Sequence, residues 1–221
     1  MRSSGPFLLP GRVPGGLVLL GAGALGLLLI HDLASSPWAA LACLMLSFVG
    51  LVVAGRGSGR LSAASILLVA AFLRLFLVPL PPSLSNDVWR YLWDGRVALA
   101  RENPYRLEPE DPELLELRDE VYERLDHREI PTIYPPLAIT LFSICAGLPA
   151  SVWIWKLWVV TADLLGCWFL LRLARRKGLP LSRTIWYAWN PMVALETAGM
   201  AHVDAVGVAA TVAAVLLLVR P

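Results

Sequence analysis

Charge is what this sequence has little of. Only 16% of its 221 residues are Asp, Glu, Lys or Arg, against about 25% in an ordinary globular chain. Outside residues 82–131 there are only four acids, Asp32, Asp163, Glu196 and Asp204. That scarcity excludes an ordinary soluble domain, whose surface needs charge. Cysteine is also sparse. Cys43, Cys145 and Cys167 sit inside apolar runs without the close spacing of a zinc site, so a disulfide framework and a metal cluster are both disfavoured and small buried hydrophobes are the simpler reading. There is no Walker loop, no dinucleotide glycine pattern and no repeat of solenoid period, which removes the usual nucleotide sites and gives no sign of a nucleic-acid partner.

What the chain has instead is apolar residues, 57% of the total, with a mean hydropathy of +0.64. They gather into runs that approach or reach the roughly 20 residues needed to span a bilayer. The expected fold class is all-α, a polytopic transmembrane helix bundle. Spans are predicted over 15–34, 38–54, 62–80, 152–173, 184–199 and 203–219, the fifth interrupted by Asn190-Pro191. Two further spans follow the first closely, so the first is expected to be a retained helix rather than a cleaved signal.

Residues 82–131 are the one long polar stretch, with 13 Asp and Glu and 7 Arg. Short loops rich in Lys and Arg mark the cytoplasmic side of a membrane protein. Arg2, Arg12, Arg56 and Arg60 therefore place the N-terminal tail and the second loop inside, and the acidic loop outside. Arg172, Arg175, Arg176, Lys177 and Arg220 return to the cytoplasm only if the run opened by Tyr134-Pro135-Pro136-Leu137 does not cross completely. The expectation is about six spans and one half-inserted helix. It divides the chain into N-terminal helices (1–80), an extracytoplasmic catalytic loop (81–133), and the half-inserted helix with the remaining spans (134–221). Within the loop, Asp111 is predicted to cap a helix with Pro112 in its first position, and Leu114, Leu117, Val121 and Leu125 form its apolar face.

The unusual residues concentrate in Ser85–Arg96, SNDVWRYLWDGR. On a helix Asp87, Arg90, Tyr91 and Asp94 share one face. Asp87 would follow a Ser85 cap, and Trp89 and Trp93 would be interfacial anchors. Carboxylates beside arginines suit attack by a hydroxyl on a phosphate-activated carbon, with a carboxylate taking the proton and cations holding the phosphate. Arg90 or Arg96 is the candidate for that phosphate. The simpler alternative for Arg90 and Asp94 is a surface ion pair worth at most about 1 kcal/mol. Arg74, Lys156 and Asp163 fall inside predicted spans, where each is expected to meet a partner on another helix.

The order NDVWRYLWDGR, NPY, IYPPL, then WNP with AHVD resembles the GT-C class of membrane glycosyltransferases, and among them the bacterial polyprenol-phosphate-mannose-dependent mannosyltransferases. The likeness runs from about Pro81 to Val206. It implies that Asp87 is the catalytic base, or a ligand if a divalent metal (Mg or Mn) is used. Tyr91, Asp94, Tyr134, Asn190, His202 and Asp204 are the further candidates for substrate contact. Ala201 stands where such proteins commonly carry Gly before the His. The resemblance implies a sugar donor on a polyprenyl phosphate, mannose as first expectation, and a glycan or lipid acceptor of the cell envelope. The setting would be the plasma membrane, with the site facing outside the cytoplasm. Such proteins continue through several more helices, so the expectation includes a longer chain, a partner chain supplying those helices, or an inactive subunit. A transporter or flippase of lipid-linked substrates is the alternative function.

Overall fold

The computed structural model describes residues 12–57, 61–149 and 151–219. Helices are the regular secondary structure of the described residues, with no strand among them. Arg2, Arg60 and Arg220, used above to orient the chain, lie outside the described residues. Two compact units emerge, one of residues 82–158 and one combining 1–81 with 159–221.

In the second of these, α1 (Val13–Ile30) and α2 (Pro37–Gly57) form a close pair. Small residues allow it. A Cβ on Gly16 would stand 2.6 Å from the Gly50 carbonyl oxygen, and one on Gly23 would stand 2.3 Å from that of Cys43. The Ser47 hydroxyl donates to the Leu20 carbonyl at 3.2 Å. Where lipid removes the hydrophobic drive between helices, such backbone proximity is the main source of attraction.

Helix α3 (Ala63–Leu77) starts at Ser62, whose hydroxyl accepts from the Ser65 amide at 3.0 Å. Near its end Arg74 is fully buried. Its Nε donates to Asp163 on α7 (Ser151–Arg176), and its Nη1 donates to the Ala70 and Ala188 carbonyls. Tyr187 donates to the other Asp163 oxygen at 2.6 Å. Arg74 and Asp163 thus meet across helices, as the sequence led one to expect. Lys156 is also buried, with its ammonium 5.9 Å from the ring centroid of Trp153 on its own helix.

Helices α1, α2 and α7 are long and apolar enough to cross a membrane by length and composition. Helix α3 and α10 (Asp204–Leu218) have 15 residues each, about 22 Å of helix against a hydrocarbon core of about 30 Å. The expected span 184–199 is divided more finely than a single interruption. It contains α8 (Ile185–Ala188), α9 (Pro191–Ala194) and a π turn (Leu195–Gly199). Proline 191 cannot donate to the preceding turn, and Asn190 starts α9 afresh by accepting from the Met192 amide at 2.9 Å. Six complete spans therefore remain an expectation, with three helices meeting the criterion among the described residues.

The unit of residues 82–158 is built on α4 (Asp87–Leu99) and α6 (Pro136–Ala146). Gly95 brings them together: a Cβ there would lie 2.5 Å from the Phe142 carbonyl carbon and oxygen. With 11 residues, α6 is about 16 Å long and too short to cross alone. The single amphipathic helix expected after Asp111 is two pieces. Asp111 caps a 3-10 turn, Pro112–Leu117, and Asp119 starts α5 (Glu120–Glu123) by accepting from the Val121 amide. Arg118 is extended between them. The apolar face survives the break, because Leu114, Val121 and Leu125 are buried together with Trp93 and Tyr122. Trp93 is thus a core residue of this unit rather than an interfacial anchor, only 1% exposed.

Breaking the Arg74–Asp163 pair by Asp163→Leu should destabilise the protein by about 3–5 kcal/mol, because a buried guanidinium is left uncompensated. The double change Arg74→Met with Asp163→Leu should recover most of that. Thermal unfolding of the two variants in detergent measures the difference.

Candidate active site

Helix α4 presents the sequence-predicted residues at different depths. Its cap is Asn86 rather than Ser85, which makes Asp87 the first helical residue, and the Ser85 hydroxyl accepts from the Asp87 amide at 3.2 Å. Asp87 is exposed and lines a cleft of about 370 Å³ with Asn86, Arg90, Asp126, Ile130 and Tyr134 among its walls. A carboxylate at a helix N-terminus is favoured by the aligned peptide dipoles. Asn86 holds one wall by donating to Asp126 at 2.8 Å.

Tyr134 is half-buried over an aromatic floor. Its ring centroid is 5.1 Å from Tyr91 and 5.4 Å from Phe142, and Tyr91 stacks on Phe142 at 4.7 Å. Trp155 closes the floor, 5.5 Å from Tyr91. Burial, and then the nearby Asp87 charge, push the Tyr134 phenol up to about 12. It therefore stays protonated through the neutral range and can donate a hydrogen bond. Tyr91, only 1% exposed, belongs to this floor.

Arg90 spreads its guanidinium along the cleft wall. It donates to Asp94 at 2.9 Å, to the His127 carbonyl at 3.2 Å and to the Ile130 carbonyl at 2.6 Å. Asp94 lies behind it, buried, and accepts from the Thr132 hydroxyl as well. Burial pushes the Asp94 carboxyl above its ordinary value, against the opposing pull of the Arg90 charge and the hydrogen bonds from Thr132 and Arg90. Arg96 is engaged with Asp119. Asp119 is held below the usual carboxylate range, because hydrogen bonds from Arg96 and from backbone amides outweigh its own partial burial.

Asn190, His202 and Asp204 belong to the unit of residues 1–81 and 159–221. The Asn190 side chain serves as the cap of α9. His202 pairs through Nδ1 with Glu196, which projects from the π turn, and its amide donates to the Glu196 carbonyl at 3.0 Å. Asp204 is the exposed first residue of α10. The resemblance singled out the position before the histidine, and the backbone explains why glycine suits it. Ala201 is buried with φ of 66°, in the left-handed region that a Cβ disfavours.

The sequence reading missed Asp126, the Ile130 carbonyl and Thr132. Each lies 38 to 40 residues along the chain from its partner at the start of α4 or on it, in a stretch without helical periodicity. For a divalent metal the fit is poor. Asp87 and Asp126 line one cleft, but no group of three or more His, Cys, Asp or Glu side chains able to hold an ion occurs among the described residues.

A family profile described as "Alpha-(1->6)-mannopyranosyltransferase, N-terminal domain" matches residues 17–221. The chain belongs to this mannosyltransferase family. Comparison with curated proteins and with solved structures gives no match. Membership supports a glycosyltransferase role, and the apolar helices agree with a place in a membrane. For this family member, Ala201→Gly should raise stability by about 1 kcal/mol, since the left-handed backbone is relieved of its Cβ. An increase in thermal midpoint confirms it, and a decrease refutes a strained backbone at 201.

Proposed function

We propose that the protein transfers a sugar, mannose first, from a polyprenyl-phosphate carrier to a glycan or lipid acceptor on the outer side of the plasma membrane. The observation that carries this reading is the cleft itself, where an exposed carboxylate, a guanidinium and a protonated phenol meet in a member of a mannosyltransferase family. Asp87 accepts the proton of an acceptor hydroxyl as its oxygen attacks the anomeric carbon. The bond from that carbon to the phosphate oxygen breaks, and the polyprenyl phosphate leaves with the electron pair. Arg90 is the cation at the cleft beside which that phosphate would rest. Tyr134 donates its hydroxyl hydrogen to a sugar oxygen. His202 and Asp204 are carried by the resemblance alone as further sugar or acceptor contacts.

Several features support the setting. A lipid-phosphate leaving group needs no nucleotide-binding loop, and the sequence contains none. The acids crowd into residues 82–131 while Arg172, Arg175 and Arg176 stand near the C-terminal end of α7 and Lys177 follows it, the asymmetry expected of an outward-facing loop and a cytoplasmic one. The buried Arg74–Asp163 pair is satisfied by helix neighbours and the Tyr187 hydroxyl. That favours a packing role for those charges over the midplane substrate site a transporter would use.

Asp87→Asn should lower the turnover number for transfer by about 10²–10⁴-fold, the usual contribution of a general base, while the protein still inserts in membranes. Transfer of labelled mannose from polyprenyl-phosphate mannose, measured in membranes, reads this directly. Full activity in the variant removes Asp87 from the reaction.

A further inference from the structure

We infer that Asp94 and Thr132 are positioning residues, a buried bracket that holds the cleft wall in shape rather than a contact for substrate. The inference rests on the transferase reading above for its catalytic consequence, but its geometry stands by itself. Residues 126–134 form one wall of the cleft and have no regular secondary structure. Backbone groups in such a segment need partners from elsewhere. The Tyr105 hydroxyl donates to the Tyr134 carbonyl at 2.7 Å and the Thr132 amide donates to the Pro104 carbonyl at 2.9 Å, while α4 supplies side-chain partners. Arg90 donates to the carbonyls of His127 and Ile130, so it pins the first half of the wall. Thr132 pins the second half: its hydroxyl donates to Asp94 and accepts from the Tyr134 amide at 3.4 Å.

Both ends converge on one carboxylate. One Asp94 oxygen orients the Arg90 guanidinium at 2.9 Å and the other takes the Thr132 hydroxyl. Asp94 and Thr132 are 2% and 7% exposed, so neither is placed to touch a substrate in the cleft. Removing either group leaves a buried polar atom without its partner, and the wall that carries Tyr134 loses its fixed geometry. Substrate binding then weakens even though the chemical groups are all present.

The test uses the full chain in lipid nanodiscs with Thr132→Val and Thr132→Ser. Amide hydrogen exchange across 126–134 and the KM and kcat for polyprenyl-phosphate mannose are measured together. Thr132→Val should speed exchange in that segment by about tenfold and raise KM by about tenfold, with kcat changed by less than about threefold. Exchange elsewhere should stay at the wild-type rate, and Thr132→Ser, which keeps the hydroxyl, should restore both values. Wild-type exchange and KM in Thr132→Val overturn the bracket, as does a loss confined to kcat, which would mean only less folded enzyme. Absence of transfer by the wild-type chain overturns the transferase reading, while the exchange measurement still decides the bracket.

Discussion

The unit of residues 82–158 depends on a carboxylate that almost no water reaches. Asp94 sits one turn beyond Arg90 on α4, and without that guanidinium and the Thr132 hydroxyl its burial would be prohibitive. Its neighbour Gly95 faces the backbone of α6 so closely that no side chain would fit. Two adjacent residues thus tie α4 to both of its surroundings, the non-helical wall through Asp94 and the 11-residue helix through Gly95. At the amino end of α4, Asp87 is exposed and lines the cleft. The helix is anchored by its middle so that its first residue can stand in an open cleft.

The other unit solves the problem of buried charge in a different way. Arg74 and Asp163 are both fully buried, and the remaining hydrogen-bonding capacity goes to the Ala70 and Ala188 carbonyls and the Tyr187 hydroxyl. In an apolar setting such a network links α3, α7 and α8 at a defined register, since sliding any of them would expose an unpaired charge. The irregular stretch that follows, with its π turn and the left-handed Ala201, delivers Glu196 and His202 as a pair. Inserted residues of this kind inside helices are frequent at functional sites.

Much of this was legible in the sequence because apolar runs and helix signals act locally. The periodicity of Asp87, Arg90, Tyr91 and Asp94, the proline start of α6 and the break at Asn190-Pro191 all correspond to observed features. What escaped was decided by distant partners. Trp93 reads as an interfacial anchor until Tyr122 and Leu114 are seen to cover it. Arg96 reads as a phosphate ligand until Asp119, 23 residues on, claims it and at the same time interrupts the expected helix. Spacing suggests an ion pair or a phosphate site for Arg90 and Asp94. The ion pair is observed, and Arg90 also holds the cleft wall through the His127 and Ile130 carbonyls, which spacing alone does not encode.

The most direct test of the central claim is the identity of the donor. Sealed vesicles carrying the full chain, supplied on the outer face with polyprenyl-phosphate mannose or with a nucleotide-linked mannose while lipid-phosphate sugar synthesis is blocked, separate the two routes. The account predicts mannose transfer to an outer-face acceptor from the lipid-linked donor alone, lost in Asp87→Asn. Transfer from the nucleotide donor under that block, or equal transfer by the Asp87 variant, would contradict it.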